Sequence, residues 1–107
     1  MCVDWERLNE LKDDIGEEDF ADVATLFVSE LQDTLSGMQV ATAAAEDFHF
    51  LRGSAANLGF TALVAACSRA EAAAKAGEAP DVAAVKSAFN AALAEMSAKM
   101  PDLAMAA

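Results

Sequence analysis

The stretch FHFLRGSAANLGF, residues 48–60, decides how the middle of this chain folds. Its apolar residues recur at intervals of three and four, so they share one face of an α-helix. These residues are Phe48, Leu51, Ala55 and Leu58. Gly59 follows the last of them, at the position where glycine commonly ends a helix. The segment therefore predicts a helix with a buried apolar face, from about Thr42 as its cap to Gly59.

Four further segments show the same helical periodicity, and no long linker separates them. They run from about Asp4 to Ile15, from Glu18 to Ser36, from Thr61 to Ala76, and from Pro80 and Asp81 to Pro101. Their apolar stripes are Trp5, Leu8, Leu11 and Ile15; Phe20, Val23, Phe27, Leu31 and Leu35; Phe60, Leu63, Cys67, Ala70 and Ala74; and Val82, Val85, Phe89, Leu93 and Met96. Helices of this length with short connections pack best as an antiparallel bundle. We predict an all-α single domain over residues 1–107: an antiparallel four-helix bundle whose short N-terminal helix caps one end.

The composition restricts the function. The chain has 107 residues, with 7 Lys and Arg against 18 Asp and Glu, a formal net charge of −11. Nucleic acids and anionic membranes are bound through cationic surface, so neither is expected as a partner. The chain has a single histidine and no paired-cysteine motif, so no metal site is expected. It also has no glycine-rich phosphate loop, so the use of ATP is not expected. No secretory signal or membrane-length apolar run is visible, so the cytoplasm is the expected location.

His49, the only histidine, faces away from the apolar stripe of its helix. At about 100° per residue, the stripe lies about 180° to 260° from His49, whereas Arg52 and Gly53 lie within about 60° of it. A glycine inside a helix costs roughly 1 kcal/mol against alanine. We interpret Gly53 as clearance for an approaching macromolecule, and Arg52 as placed to neutralise negative charge arriving at His49. A solvated surface histidine beside an ordinary basic residue is the alternative.

Glu71 and Lys75 are the candidate partners of His49 from the next helix. If the third and fourth helices form a hairpin about Phe60, residues equidistant from Phe60 lie at one level. His49 lies eleven residues before Phe60 and Glu71 lies eleven after it. Glu71 is therefore predicted to accept a hydrogen bond from Nδ1–H of His49, which fixes the tautomer and leaves Nε2 free as a nucleophile. Lys75, one turn further on, would add positive charge, and an ordinary surface pair with Glu71 is compatible with that role.

The segment HFLRGSAANLG resembles the signature of histidine-containing phosphotransfer (HPt) domains. The family pattern is a His, an apolar residue two positions on, Lys or Arg three on, Gly four on, then small residues and a Leu-Gly end. The downstream Cys67 and Glu71 also resemble the next helix of that family, and the resemblance covers essentially the whole chain. Two positions depart from the usual pattern: Phe50 is often a small polar residue, and Arg52 stands where Lys is commoner.

The resemblance implies a role for each site residue. His49 would be the phosphoacceptor, with Arg52 near the phosphoryl group. Glu71 stands where related domains often place a Gln or Glu that orients the imidazole, and Lys75 would add charge close by. The surface that docks a partner would surround His49. Its predicted residues are Gly53, Phe50, Ala56, Val28, Leu31 and Gln32.

We therefore predict a histidine phosphotransfer protein of a two-component phosphorelay. It would accept a phosphoryl group on His49 from the aspartate of a response-regulator receiver domain and pass it to another receiver. A sensor or hybrid histidine kinase would be a further partner. Mg²⁺ would sit in the partner receiver, so the chain is expected to need no cofactor of its own. It is also expected to be a monomeric phosphocarrier rather than an enzyme.

Three alternatives stay open. The chain could be a docking module for a receiver or a histidine kinase that carries no phosphate, or a structural four-helix domain with an incidental histidine. The joint presence of His49, Arg52 and Gly53 argues against both, because a module that lost the chemistry would be expected to lose the histidine first. The chain could also be the phosphoacceptor domain of a chemotaxis-type kinase, which normally belongs to a longer protein.

Overall fold

Five α-helices make up the part of the chain that the computed structural model describes, residues 2–100. They are α1 Trp5–Ile15, α2 Glu17–Ser36, α3 Ala45–Asn57, α4 Thr61–Lys75 and α5 Val82–Lys99. No strand occurs within residues 2–100, which confirms the all-helical prediction. Within the same range no helix is long and apolar enough to cross a membrane. Pro101, where the sequence predicts the end of the last helix, lies outside the described residues.

Side-chain caps explain where the helices begin. Asp4 accepts a hydrogen bond from the Arg7 amide at 3.2 Å at the start of α1, and Asp81 caps α5 in the same way. The predicted start of the third helix at Thr42 is wrong. Helix α3 begins at Ala45, because the Asp47 carboxylate accepts from the Ala44 amide at 2.9 Å and satisfies that end of the helix. Thr42 lies in the preceding turn instead.

One face of each helix forms the core. In α2 the buried face differs from the one that the sequence predicts. The predicted stripes of α3, α4 and α5 are largely buried, with Ala74 and Leu93 only partly covered. In α2 the buried residues are Phe20, Ala24, Val28, Leu31 and Leu35. Val23 and Phe27, which the sequence places inward, are only partly buried. The small Ala24 lies at the centre of the buried face, so the helix is rotated from the orientation that its largest side chains suggest.

A tight turn joins α3 to α4, and the N-terminal segment packs against this turn. Gly59 has a φ of +71°, a left-handed conformation that glycine adopts without strain. Its carbonyl accepts a hydrogen bond from the Asp4 amide at 2.6 Å. A Cβ at Gly59 would lie 2.6 Å from the Asp4 carbonyl oxygen. Glycine is therefore required here both by the turn and by the close passage of the N-terminal segment.

The start of the chain is also tied to α5. Trp5 donates from its indole N–H to Glu95 Oε2 at 2.9 Å, and the Cys2 amide donates to Glu95 Oε1 at 3.2 Å. The Lys99 ammonium lies 5.1 Å from the centre of the Trp5 ring, within the range of a cation–π contact. These contacts anchor α1 to the end of the bundle that contains the α3–α4 turn.

Candidate functional site

His49 projects from the exposed face of α3. Its side chain is 68% exposed, whereas its neighbour Phe48 is fully buried. The opposite orientation of these adjacent residues follows from the helical periodicity of the segment, and it confirms that His49 points away from the core. The imidazole is therefore held on a rigid helix and is accessible to a second macromolecule.

Arg52 and Glu71 both lie beside Nδ1 of the imidazole. Arg52 Nη2 is 2.9 Å from Nδ1, and Glu71 Oε2 is 3.6 Å from the same nitrogen. Arg52 reaches His49 because it lies three residues further along the same helix face. Glu71 reaches it from α4, at the level that the hairpin about Phe60 predicts. The structure thus brings together His49, Arg52 and Glu71, three of the four residues that the sequence places at the site.

The predicted hydrogen bond from His49 to Glu71 is not formed. Its 3.6 Å separation exceeds hydrogen-bonding distance, and the 2.9 Å contact of Nδ1 is with Arg52. A guanidinium group only donates hydrogen bonds, so Nδ1 accepts in this arrangement. Sequence reasoning placed Arg52 next to a future phosphoryl group and missed this contact. The i,i+3 spacing was the signal that could have indicated it.

Glu71 is a nearly buried carboxylate between two cations. The residue is 7% exposed; Lys75 Nζ lies 3.1 Å from Oε2, and Arg52 Nη1 lies 3.4 Å from Oε1. The hydrogen bond from Lys75 is the main reason that the pKa of Glu71 lies below its usual value; burial acts in the opposite direction, and the charge of Arg52 reinforces the lowering. The cations of Arg52 and Lys75 against the single carboxylate of Glu71 leave an excess of one positive charge beside His49, in a chain whose formal charge is −11. This local excess suits an incoming phosphoryl anion.

Acid should weaken the fold through Glu71. Since its folded-state pKa is lowered, the ion pairs of Glu71 stabilise the fold fully above about pH 4.5, the ordinary glutamate value. That contribution is lost as the pH falls through the lower folded-state value. Urea unfolding at about pH 6 and about pH 3 should show a larger loss of stability in the wild type than in Glu71→Gln. The control Glu30→Gln changes an exposed glutamate of α2 and should keep the wild-type dependence. An unchanged pH dependence in Glu71→Gln would contradict the assignment.

Cys67 lies close to this charge cluster but is a packing residue. It is fully buried, and burial raises the pKa of its thiol to about 11. The thiol therefore stays protonated near neutral pH, where it is not nucleophilic. Within residues 2–100 no group of three or more potential ligands is placed to hold a metal ion.

The family assignment follows from a comparison with known domain families. The family model described as Hpt domain matches residues 22–99, which include His49 and all of α3, α4 and α5. The chain belongs to the Hpt domain family. No curated protein and no solved structure matches it significantly. Hpt domains take part in histidine phosphotransfer within two-component phosphorelays, so the resemblance of HFLRGSAANLG to their signature is confirmed.

Gly53 gives this Hpt domain an open surface one turn from its histidine. A Cβ at Gly53 would meet no atom within 4 Å, so nothing inside the domain requires a glycine there. The backbone φ of Gly53 is also not in the left-handed region. The interior of the domain therefore leaves room for a larger side chain at this position.

Two substitutions at Gly53 separate folding from docking. Gly53→Ala should raise the free energy of unfolding by roughly 0.5–1 kcal/mol, because it removes the helix-interior cost of glycine without a clash. Gly53→Gln should also fold, but it should slow phosphotransfer several-fold by blocking the approach to His49. Urea unfolding and transfer rates measure the two effects. Wild-type transfer by Gly53→Gln would show that Gly53 is not clearance for a partner.

Some of the predicted docking residues of the Hpt domain are exposed, and others are buried in the core. Phe50 is 52% exposed and Ala56 is exposed, so both are accessible on α3. Val28 and Leu31 are 1% and 0% exposed and belong to the core, so their prediction as docking residues is wrong. The prediction took a continuous run of α2 as accessible, whereas part of each helical turn faces the core. Gln32 is half-buried and lies beside Lys86 of α5 in a groove between α2 and α5.

Proposed function

We propose that this Hpt domain carries a phosphoryl group on His49, which it accepts from the aspartate of one receiver domain and passes to another. The observation that carries the proposal is the exposed imidazole of His49 beside the Arg52 and Lys75 cations that flank Glu71. The exposed imidazole offers a nucleophile that a partner can reach. The cations offer charge neutralisation, which is the main requirement of phosphoryl transfer.

The transfer step involves His49, Glu71 and Arg52 of this domain and the aspartate of the receiver. Nε2 of the neutral imidazole forms a bond to phosphorus while the P–O bond to the aspartate of the receiver breaks and its electron pair returns to the carboxylate. The ring then carries a proton on Nδ1 and the phosphoryl group on Nε2, so it is positively charged. The Glu71 carboxylate, 3.6 Å from Nδ1, is placed to stabilise that charge. Arg52 would neutralise the phosphoryl oxygens, and reversal of the same step delivers the group to the next receiver.

The proposal includes the partners and the setting. Response-regulator receivers and a sensor or hybrid histidine kinase are the proposed partners, with Mg²⁺ supplied by the receiver. The domain would act as a monomeric cytoplasmic phosphocarrier without kinase activity of its own, built as an antiparallel four-helix bundle that α1 caps. The exposed Phe50 would be an apolar anchor of the docking surface, beside Gly53 and Ala56. Membership of the Hpt family supports the receiver and kinase partners.

A reconstituted transfer reaction tests the proposal. Receiver domains from the source organism are loaded with radiolabelled acetyl phosphate and Mg²⁺, freed of the donor, and mixed with the wild-type chain. We expect label on the chain that is lost in acid and kept in base, as expected for phosphohistidine. No transfer from any receiver would overturn the proposal. Stable binding of a receiver without transfer would favour the non-phosphorylated docking module instead.

A further inference from the structure

We propose that Arg52 is a tautomer gate: in the resting domain it holds His49 in the form that cannot attack phosphorus, and it releases the imidazole when a phosphoryl anion arrives. This inference rests on the proposed function, since it concerns the control of the same imidazole. The observation is the 2.9 Å contact between Arg52 Nη2 and His49 Nδ1. It assigns Arg52 a positioning role on the imidazole in addition to the neutralisation of charge.

The contact determines where the imidazole proton lies. Every polar atom of the guanidinium is a donor, so Nδ1 of His49 must present its lone pair to Arg52. In a neutral imidazole the single proton then lies on Nε2. A nitrogen that carries this proton has no lone pair for phosphorus. The nitrogen with the lone pair, Nδ1, is covered by Arg52. The resting site is therefore a protected nucleophile.

A second arrangement is available from the same side chains. Glu71 Oε2 lies 3.6 Å from Nδ1, so a small movement of the imidazole brings it into hydrogen-bonding distance. A carboxylate accepts, so Nδ1 would then carry the proton and Nε2 would hold the free lone pair. Arg52 and Glu71 thus demand opposite tautomers of His49. They cannot both bond to Nδ1, because one presents a hydrogen and the other a lone pair.

The arrival of a phosphoryl group favours the second arrangement, in which Nδ1 faces Glu71. Its anionic oxygens are stronger acceptors for the Arg52 guanidinium than a neutral nitrogen is. When Arg52 turns to them, Nδ1 is left beside Glu71. Since His49 is 68% exposed, water can remove the proton from Nε2 and supply one to Nδ1. Glu71 Oε2 already contacts Lys75 at 3.1 Å, and a carboxylate oxygen has a second lone pair with which it can accept from Nδ1–H. Lys75 itself has no role in the proposed gate.

Nitrogen NMR of the chain tests the gate without any phosphate. His49 is the only histidine, so ¹⁵N-histidine labelling gives two ring-nitrogen signals, whose shifts report which nitrogen is protonated. Spectra are recorded at about pH 8.5, above the usual range of histidine titration. The wild type should show the proton on Nε2. Arg52→Met should raise the ratio of the Nδ1–H to the Nε2–H form by about tenfold or more, the scale of a hydrogen bond to a charged group.

Two further variants make the result specific. Arg69→Met removes an exposed arginine of α4 and should keep the wild-type spectrum. Arg52→Met combined with Glu71→Met removes both partners of Nδ1 and should return the proton to Nε2, the tautomer that free histidine prefers in water. Far-UV circular dichroism checks that each variant folds. An Nδ1–H imidazole in the wild type, or unchanged populations in Arg52→Met, would overturn the gate. Both readings use the unphosphorylated chain, so they are independent of whether the transfer assay succeeds.

Discussion

Replacement of His49 by Gln is expected to reduce phosphoryl acceptance by about three orders of magnitude or more, the scale on which loss of a nucleophile acts. Gln has no side-chain atom that can form the bond to phosphorus. The fold should be unaffected, because the side chain is 68% exposed and its 2.9 Å contact is with Arg52 on the same helix. The free energy of unfolding should change by no more than about 0.5 kcal/mol. Transfer rates from a labelled receiver and urea unfolding measure the two quantities.

No second histidine can compensate for the loss of His49. His49 is the only histidine in 107 residues, so no second imidazole can carry the label in the variant. Arg69→Gln, on the exposed surface of α4, is a matched control that should transfer at the wild-type rate. Labelling of His49→Gln at the wild-type rate would show that a different residue carries the phosphate and would remove the basis of the proposed function.

Replacement of Gly59 by Ala is expected to lower the free energy of unfolding by about 2–4 kcal/mol. The left-handed backbone at φ +71° accounts for about 1–2 kcal/mol of this. The remainder follows because the new Cβ would lie 2.6 Å from the Asp4 carbonyl oxygen, so the N-terminal segment must move and its hydrogen bond to Gly59 is weakened or lost. Urea unfolding of the whole chain measures the loss.

Gly77 supplies the matched control for Gly59. It follows α4 with a similar φ of +76°, but a Cβ there would meet no atom within 4 Å. Gly77→Ala should therefore show only the backbone cost of about 1–2 kcal/mol. The difference between the two variants isolates the close passage of the N-terminal segment. Equal losses would mean that Asp4 does not pack on the α3–α4 turn as described.

Much of the fold could be predicted because the apolar spacing in each helix is regular. Phe48 and Leu51 fix the buried face of α3, and the same spacing places His49 on the opposite side. Register about Phe60 then brings Glu71 to the level of His49. Hydrophobic periodicity is a local property of the chain, and a short hairpin converts it directly into a contact between neighbouring helices.

Periodicity fails where small or polar groups decide the structure. Ala24 and Val28 are buried in the core, whereas Val23 and Phe27 are only partly buried. The start of α3 depends on the hydrogen bond between Asp47 and the Ala44 amide, which apolar spacing does not report. The error in the docking surface has a different origin, since the prediction treats a continuous run of α2 as accessible although Val28 and Leu31 face the core.

The contact of Arg52 with Nδ1 could not be predicted from spacing alone. The spacing of three residues permits the contact, but the rotamer of Arg52 decides whether its guanidinium covers the imidazole or extends into solvent. The prediction of Glu71 as the partner of Nδ1 rests on the register of the hairpin about Phe60, which gives the level of a residue but not its hydrogen bonds. Three side chains compete for the neighbourhood of that carboxylate, and their balance is a property of the assembled site.

The position of the phosphoryl group shows directly whether His49 carries it on Nε2. After transfer from a receiver, proton–phosphorus correlation NMR of the intact chain in base reports which ring nitrogen is bonded to phosphorus. Phosphorus on Nε2 couples to both ring protons, since both neighbouring carbons carry one; phosphorus on Nδ1 couples to a single ring proton. We predict coupling to both ring protons of His49, with Nδ1 facing Glu71. Coupling to one ring proton, or a transferred phosphate with no coupling to the imidazole, would contradict the account.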